Sequence, residues 1–335
     1  MKKPKRWAVL WLILLLAVAL LSGCALMGGA ETGPEKTDAP MQAGKSEKPP
    51  LPDKLKTNQA GIPILRVYQV DEEQTVEMAL ETYLLGVLAG EMKNDWPLEA
   101  LKAQAILART FVLKFCTEKE SKYQGADIST DIEEAQAYDA TGVNERIEQA
   151  VRETKGMVLS WHGELPYAWF HAHSGGVTER AVEGLHYEKE EPGYTRVTQG
   201  HESSLAPDDA REWTASFTEE EFLKAAKQAG WQGSGGLKSL EIGRKGESGR
   251  AVTLRINGEN VSAPEIRLAL DAGKMRSALL TGLKAENGVV TMSGKGYGHG
   301  VGMPQWGAYG LAEEGKTAEE IVRTYFRDVT VETLW

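Results

Sequence analysis

A glycine-rich segment near the C-terminus, residues 294–310, places the strictest local limit on how this chain can fold. It reads GKGYGHGVGMPQWGAYG, and seven of its 17 residues are glycine. This content is too high for the interior of an ordinary strand or helix, where each glycine costs about 0.5–1 kcal/mol relative to alanine. Glycine also allows positive φ angles and lets a ligand approach the backbone closely. The segment therefore predicts either a tight structural turn or one wall of a binding cleft.

Two classes of ligand do not fit the sequence. The glycine-rich segment contains neither G-x-G-x-x-G nor G-x-x-x-x-G-K-[ST], so it does not predict a phosphate-binding loop. The formal net charge of −10 over 335 residues argues against nucleic-acid binding, which normally requires a basic surface.

The first 24 residues have the pattern of a secretory signal. A basic MKKPKRW precedes an apolar run over residues 7–21, which ends at LSGC. Small residues before Cys24 resemble a bacterial lipoprotein box, which would make Cys24 the lipidated first residue. An uncleaved membrane helix is the alternative, because the run approaches the ~20 residues that span a bilayer. Both interpretations place the protein at the extracytoplasmic face of the cell membrane.

The remaining chain divides into a tether and one domain. Residues 25–60 are rich in Gly, Pro, Lys and Glu, which predicts a disordered tether. Residues 61–335 contain clustered helical and strand patterns, without the βαβ alternation of parallel sheets. They include a helix over VEMALETYLLGVLAGEM and a hairpin that turns at His162 and Gly163. This arrangement predicts a single α+β domain of helices and antiparallel strands.

One carboxylate ends an apolar helical stripe. Leu80, Leu84, Val87 and Leu88 have helical spacing, and the next positions on that face lead to Glu91. A carboxyl group at the end of a buried stripe should be partly desolvated, which raises its pKa and suits it to general acid catalysis. The alternative is a glutamate that turns out to solvent where the helix ends.

The segment FHAHSGG offers two weaker candidates. His171 and His173 would face the same side of a strand and could contribute to a metal site, but no further ligand has a recognisable spacing. They can equally be polar residues at a strand end. Ser174 lacks the G-x-S-x-G context of a nucleophile, so a backbone turn is favoured there.

Five stretches together resemble the domain of stage II sporulation protein D, which is shared with amidase-enhancer proteins of cell-wall turnover. In chain order they are LETYLLGVLAGEM, WPLEALKAQAILARTF, QAYDATGVNERIEQAVRETKGMVL, FHAHSGGVTE and GYGHGVGMPQWGAYGLAEEGKTAEEI. The resemblance covers about residues 62–335 of the sequence.

The resemblance implies a membrane-tethered lytic transglycosylase with a glycan-binding cleft. Such an enzyme cleaves peptidoglycan between N-acetylmuramic acid and N-acetylglucosamine without water and leaves a 1,6-anhydro sugar. It is expected to work beside a cell-wall amidase and a membrane protein that recruits both, so that the septal wall thins and the forespore is engulfed. The alternative is a binding module that grips glycan strands and enhances a partner amidase.

Site residues follow from the resemblance position by position. Glu91 matches the catalytic glutamate of the family. The substrate-binding candidates are Arg109, Ser174, Tyr297, His299 and Gln305. Arg109 can instead form a structural ion pair.

The resemblance also bears on metal binding. Some clostridial members bind zinc through cysteine and histidine residues around the Ser-Gly-Gly loop, but this loop contains only His171 and His173. We therefore expect no essential metal and no other cofactor.

Overall fold

A computed structural model describes residues 47–335 of the chain. The predicted signal or anchor over residues 1–24, including Cys24, lies outside the described residues, as does the predicted tether up to residue 46. Within the described range, no helix is both long and apolar enough to cross a lipid bilayer.

Several helices begin at side-chain caps. Asn144 caps α3, while Thr218 and Thr317 each form a capping box with a glutamate three residues later, at the start of α6 and of α9. The α-helices among the described residues are α1 (Leu80–Glu91), α2 (Leu98–Glu118), α3 (Glu145–Glu153), α4 (Ala181–Gly184), α5 (Asp208–Arg211), α6 (Glu219–Gln228), α7 (Ala263–Leu270), α8 (Gln305–Glu313) and α9 (Ala318–Tyr325).

The strands are short and form several small sheets. In chain order they are β1 (Lys56–Thr57), β2 (Pro63–Gln69), β3 (Gln74–Ala79), β4 (Ile128–Ser129), β5 (Met157–Ser160), β6 (Phe170–His171), β7 (Glu212–Thr218), β8 (Leu240–Ile242), β9 (Thr253–Ile256), β10 (Glu259–Ser262), β11 (Leu280–Glu286), β12 (Val289–Lys295), β13 (Met303–Pro304) and β14 (Thr330–Thr333).

Most strand pairs are antiparallel. The sheets have the orders β1-β2-β3, β10-β9-β8, β11-β12-β7 and β14-β5, while β4 joins β2 and β13 joins β6 in parallel. This mixture of helices and mainly antiparallel strands confirms the predicted α+β class.

The first hydrophobic core, which we call the helical core, surrounds α1 and α2 and also includes α8 and α9. On α1, Leu80, Leu84, Val87 and Leu88 have no exposed surface, so the predicted apolar stripe is confirmed. Full burial of each such side chain contributes about 1.5–3 kcal/mol relative to an exposed position. The stripe therefore holds α1 firmly and determines where its last residue lies.

A second hydrophobic core, which we call the second core, uses residues between Trp213 and Met292. It joins β7, β9 and β12 to α6 and α7, with Phe222, Leu254 and Ile266 fully buried. The glycine-rich segment begins at the end of β12 and returns the chain to the helical core at α8.

Two boundaries and one strand pairing differ from the sequence prediction. Helix α1 begins at Leu80, because residues 74–79 form β3 and pair with β2. The last residues of the predicted tether include β1, which also pairs with β2. The predicted turn at His162 and Gly163 is confirmed, with φ angles of 52° and 82°, but the pairing across it is a single bridge because β5 pairs with β14.

The glycine-rich segment combines an irregular stretch with a helix. Gly298 has a φ of +121°, and a Cβ atom there would lie 2.5 Å from Cβ of His171. The segment therefore lies directly against residues 171–173, where His173 and Tyr297 form an antiparallel bridge. Its last part, from Gln305 onward, belongs to α8, contrary to the expectation that so many glycines exclude a helix. Gly307 serves close packing there, because a Cβ atom would lie 2.1 Å from the carbonyl oxygen of Gly200.

Candidate active site

Glu91 is the last residue of α1, and its side chain turns into the protein, leaving the residue 8% exposed. The backbone N–H of Ala137 donates a hydrogen bond of 2.8 Å to its Oε1. The side-chain amide of Gln305 donates to its Oε2 at 3.3 Å and to its backbone carbonyl at 3.1 Å. This position confirms the prediction of a partly desolvated carboxyl group. The alternative, a glutamate that turns out to solvent, is wrong.

Desolvation raises the pKa of Glu91 from its ordinary value of 4.5 to about 7. The two hydrogen bonds from Ala137 and Gln305 lower the pKa, because they stabilise the carboxylate, but burial has the larger effect. The position at the C-terminal end of α1 also disfavours a negative charge, since the helix dipole is negative there. A substantial fraction of Glu91 is therefore protonated near neutral pH.

The Glu91 carboxyl group lines a pocket whose space amounts to about 600 Å³ when the open solvent at its mouth is included. Most of its walls are apolar or aromatic, with a few polar side chains between them. The lining residues are Glu91, Phe111, Ile132, Ala135, Gln136, Ala168, Trp169, Phe170, His171, Ala172, Tyr297, His299 and Gln305. Within the part of the chain that the structure describes, Glu91 is the one carboxylate in this lining.

Gln305 reaches Glu91 because α8 starts at the pocket. Gln305 is the first residue of α8, and the N–H of Trp306 donates to the carbonyl oxygen of Ala172 at 3.0 Å. This bond ties the start of α8 to the chain beside β6. The structure thus brings Gln305 and Glu91, both selected from the sequence, into direct contact.

His299 lines the pocket, but main-chain groups occupy its ring nitrogens. Its Nδ1 accepts a 3.0 Å hydrogen bond from the N–H of Val301, and the ring also bonds to the backbone of Phe170. Burial lowers the pKa of His299 to about 3, so the ring is neutral at physiological pH. This environment gives His299 a role in holding the glycine-rich segment in place.

His171 has the opposite pattern. Its Nδ1 lies 3.1 Å from the carbonyl oxygen of Val301, and a carbonyl can only accept, so Nδ1 carries the proton. Its Nε2 therefore presents a lone pair, and this buried atom has no hydrogen-bond partner among residues 47–335. Burial lowers the pKa of His171 well below its ordinary value, which keeps the ring neutral.

Tyr297 lies at the edge of the same pocket and is 8% exposed. The guanidinium group of Arg276 lies 5.0 Å from the centre of its ring, in a cation–π contact. Tyr297 thus contributes an aromatic face that is held by a charged neighbour.

Ser174 lies outside the pocket lining and has no exposed surface. Its hydroxyl and its backbone N–H both donate to Oε1 of Glu202. The ring of His173 accepts a 2.9 Å hydrogen bond from the N–H of Gly175. These contacts fit the backbone turn favoured by the sequence better than a wall that contacts substrate.

Arg109 is also placed away from Glu91. Its guanidinium group is fully buried and forms an ion pair of 2.7 Å with Glu81 near the start of α1. It donates a further bond of 2.9 Å to the carbonyl oxygen of Met157. These contacts favour the structural ion pair over a role in substrate binding.

Sequence reasoning did not select Gln136, which lines the pocket and is 2% exposed. It considered His171 as a metal ligand or as a polar residue at a strand end, and not as a substrate contact. Gln136 opens the QAYDATG stretch of the family resemblance, so a signal was present, but no local periodicity or motif marked this residue. Within residues 47–335 no group of three or more His, Cys, Asp or Glu side chains could hold a metal. The absence of an essential metal stays a prediction.

Comparison with known proteins places this arrangement in a family. A family model described as stage II sporulation protein matches residues 68–161, and one described as a domain of unknown function matches residues 196–302. Stage II sporulation protein D of Bacillus amyloliquefaciens is 30% identical over 294 residues, covering 83% of this chain and 80% of that protein. An uncharacterised protein of Brachyspira hyodysenteriae is 30% identical over 261 residues, covering 76% and 67%. The amidase enhancer of Bacillus subtilis is 28% identical over 291 residues, covering 74% of this chain and 40% of that protein.

The fold and the pocket define a class: an α+β protein with one buried, protonatable carboxyl group in a largely apolar pocket. The chain belongs to the stage II sporulation protein D family, which confirms the resemblance drawn from five sequence stretches. The pocket combines residues of both matched regions, with Glu91 from the first and Tyr297 and His299 from the second.

Proposed function

We propose that this protein is a peptidoglycan lytic transglycosylase that acts in septal wall remodelling and forespore engulfment during sporulation. It cleaves between N-acetylmuramic acid and N-acetylglucosamine in peptide-free glycan strands and leaves 1,6-anhydro ends. Membership of the family supports a role in sporulation, and the amidase-enhancer relative supports a role at the cell wall. The chemistry itself is argued from the pocket.

The observation that carries the proposal is the Glu91 carboxyl group. It is buried, its hydrogen bonds from residues 47–335 come from the neutral amides of Ala137 and Gln305, and burial raises its pKa to about 7. A general acid must hold its proton at the working pH and yet be able to release it, and a pKa near that pH satisfies both needs.

In the first step the protonated Glu91 carboxyl group donates its proton to the glycosidic oxygen. The bond between that oxygen and C1 of the muramoyl residue breaks, and the next sugar leaves with a free hydroxyl group. Positive charge then develops on the muramoyl ring, and the newly formed Glu91 carboxylate stabilises it electrostatically.

In the second step the muramoyl 6-hydroxyl attacks C1 from within the same sugar. Glu91 accepts the proton of that hydroxyl group, and the 1,6-anhydro ring closes. The carboxyl group is thereby restored and no water is consumed. One carboxyl group performs both proton transfers.

The pocket lining favours this reaction over hydrolysis. A typical glycoside hydrolase uses two carboxyl groups, about 5–5.5 Å apart in retaining enzymes and about 6.5–9.5 Å apart in inverting enzymes. Among the described residues, Glu91 alone supplies a carboxylate to the pocket. The apolar walls formed by Phe111, Ala135 and Trp169 also limit the access of water to C1.

The test is to incubate the protein with peptide-free glycan strands and to measure anhydro-sugar ends by mass spectrometry. Wild type should generate them, and Glu91→Gln should generate them at a rate lower by about 10²–10⁴-fold. A wild-type protein that produces reducing ends instead, or a Glu91→Gln variant as active as wild type, would contradict the proposal.

The second candidate is a glycan-binding enhancer of a partner amidase, with Glu91 as a ligand contact. The relative named amidase enhancer, 28% identical over 74% of this chain, favours it. In that case wild type leaves the strands intact, while adding it to a cell-wall amidase accelerates the release of stem peptides. Glu91→Gln would then change binding of strands without changing any strand-cleaving rate.

We also propose that residues 1–24 hold the protein at the extracytoplasmic face of the cell membrane, through a lipid on Cys24 or through a membrane helix. An amidase and a recruiting membrane protein are the proposed partners there. Cys24→Ala separates the two anchors: it should release a lipoprotein from the membrane fraction and should leave a helix-anchored protein in place.

A further inference from the structure

Three buried polar atoms of the pocket have no hydrogen-bond partner within residues 47–335. They are the amide nitrogen and oxygen of Gln136 and the Nε2 atom of His171. Gln136 is 2% exposed and His171 is 3% exposed. Buried polar groups nearly always have a partner in folded proteins, because a buried donor or acceptor without one is unfavourable. Two unpartnered side chains in one cavity therefore point to a bound polar group.

The chemistry of these atoms defines what they can bind. The Gln136 amide offers one NH₂ donor and one carbonyl acceptor. His171 offers only an acceptor at Nε2, since the contact of its Nδ1 with the Val301 carbonyl fixes the proton on Nδ1. The ligand must therefore supply one acceptor and two donors. His299 cannot contribute, because its ring already bonds to the main chain.

The rest of the pocket requires that the ligand also has an apolar part. Ala135 precedes Gln136, while Ala168 and Trp169 lie shortly before His171, and all three line the cavity. An acetamido group meets both conditions: its carbonyl is an acceptor, its N–H is a donor, and its methyl group is apolar. A neighbouring hydroxyl of the same sugar supplies the second donor.

We propose that Gln136 and His171 form a subsite for the 2-acetamido group of the N-acetylated sugar bound beside Glu91. The Gln136 NH₂ donates to the acetamido carbonyl, while Gln136 Oε1 and His171 Nε2 accept from the acetamido N–H and a sugar hydroxyl. The methyl group contacts the apolar wall. This inference deepens the proposed function and rests on it for the identity of the ligand as an N-acetylated glycan strand.

The subsite makes the protein selective for N-acetylation. A strand that has lost its acetyl groups presents an ammonium group, which has no acceptor oxygen for Gln136 and no methyl group for the apolar wall. Sites that hydrogen-bond a substrate group discriminate strongly against analogues without that group, because buried polar atoms are then left unpaired.

Binding is measured on full-length Glu91→Gln protein, so that cleavage does not interfere. The probes are peptide-free glycan strands and the same strands after chemical N-deacetylation. We expect the deacetylated strands to bind on the order of 10–100-fold more weakly. Adding Gln136→Met or His171→Asn should weaken binding of acetylated strands and should shrink this ratio several-fold. His171→Asn retains an amide donor for the Val301 carbonyl but has no counterpart of Nε2.

Gln104→Met is the matched control. Gln104 is fully buried in α2, and both its amide atoms also lack a partner among residues 47–335, but it does not line the pocket. Its replacement should leave the ratio unchanged. A ratio that survives both Gln136→Met and His171→Asn would overturn the subsite, since only the charge of the deacetylated strand could then explain it.

The effects of each substitution on folding and on function are measured separately. Circular dichroism and thermal unfolding establish that each variant is folded, and Gln136→Leu, which also removes both the donor and the acceptor, replaces Gln136→Met if that variant unfolds. A wild-type protein that makes no anhydro ends but retains the acetyl-dependent ratio refutes the transglycosylase and leaves the subsite standing. Anhydro ends from both kinds of strand at equal rates refute the subsite alone.

Discussion

Helix α1 carries one glutamate near its start and another at its end, and their surroundings differ in charge. Glu81, at the start, accepts hydrogen bonds from Arg109, from the N–H of Gly156 and from the indole of Trp335. Glu91, at the end, accepts from the neutral amides of Ala137 and Gln305. The helix dipole stabilises a negative charge at the first position and disfavours it at the second.

The comparison shows that two glutamates on one helix can have different roles, one structural and one chemical, depending on their positions. The ion pair between Glu81 and Arg109 is 2.7 Å long, the arginine is fully buried, and the pair links α1 to α2. No lysine or arginine among residues 47–335 pairs with Glu91, and burial raises its pKa to about 7. One carboxyl group therefore holds the fold, while the other can exchange a proton.

The largest expected effect is on catalysis. Glu91→Gln should reduce the rate of strand cleavage by about 10²–10⁴-fold, because amide nitrogen cannot donate and then recover the proton. Glu81→Gln should leave the rate per folded molecule unchanged within about twofold, since a group remote from the reaction contributes no proton transfer. Steady-state cleavage rates, normalised to the folded fraction, measure both effects. Equal losses of rate in the two variants would contradict this prediction.

For the free energy of unfolding, the larger loss should come from Glu81→Gln. Glu81→Gln leaves the buried Arg109 cation without its carboxylate, which costs about 3–5 kcal/mol of unfolding free energy. Urea denaturation followed by circular dichroism measures this change. A cost below about 1 kcal/mol would place the pair in the class of weak surface ion pairs and contradict its proposed structural role.

The difference in stability between Glu91→Gln and wild type should depend on pH. The raised pKa of Glu91, about 7 in the folded protein, means that the folded state binds more protons than the unfolded state between pH 4.5 and 7. Wild type therefore loses unfolding free energy as pH rises through this window, and the glutamine variant does not. The stability of the variant relative to wild type should increase by on the order of 3 kcal/mol between about pH 4 and about pH 8. An equal difference in unfolding free energy between the variant and wild type at both pH values would contradict this prediction.

The smallest expected effect concerns Gln305. Wild-type kcat/KM should fall about tenfold for each pH unit above a pKa of about 7, because the acid form of Glu91 is required. Gln305→Met removes a bond that lowers this pKa, so the decline should begin about half a pH unit higher, the equivalent of ~0.7 kcal/mol. A pH–rate profile measures the shift, and Gln104→Met serves as the control. A shift toward lower pH would contradict the assigned contact.

Local patterns predicted the parts of the fold that depend on neighbouring residues. The spacing of Leu84, Val87 and Leu88 predicted the buried face of α1, and Glu91 follows on that face. The start of α1 was misplaced, because β-branched residues in residues 74–79 pair with β2, and a helical pattern alone cannot register that competition. The predicted disordered tether likewise misses the pairing of β1 with β2.

The roles of individual pocket residues were harder to predict. His171 and His299 are both histidines beside small residues, and the sequence favoured His299 as a ligand contact. The two rings differ because of Val301: its carbonyl oxygen accepts a hydrogen bond from His171, and its N–H donates one to His299. Such a distinction depends on backbone geometry at the ångström scale, which residue types do not encode locally.

By itself, the sequence predicted that a carboxylate would end an apolar helical stripe and that the glycine-rich segment would form either a tight turn or one wall of a cleft. Both follow from helical periodicity and from the small size of glycine, which act over a few residues. Only the tertiary structure decided which charges meet. Gln305 contacts Glu91 across 214 positions, and Arg109 pairs with Glu81 instead of Glu91. Packing between distant elements brought these groups together, and it thereby decided which carboxyl group pairs with a cation and which lies in an uncharged pocket.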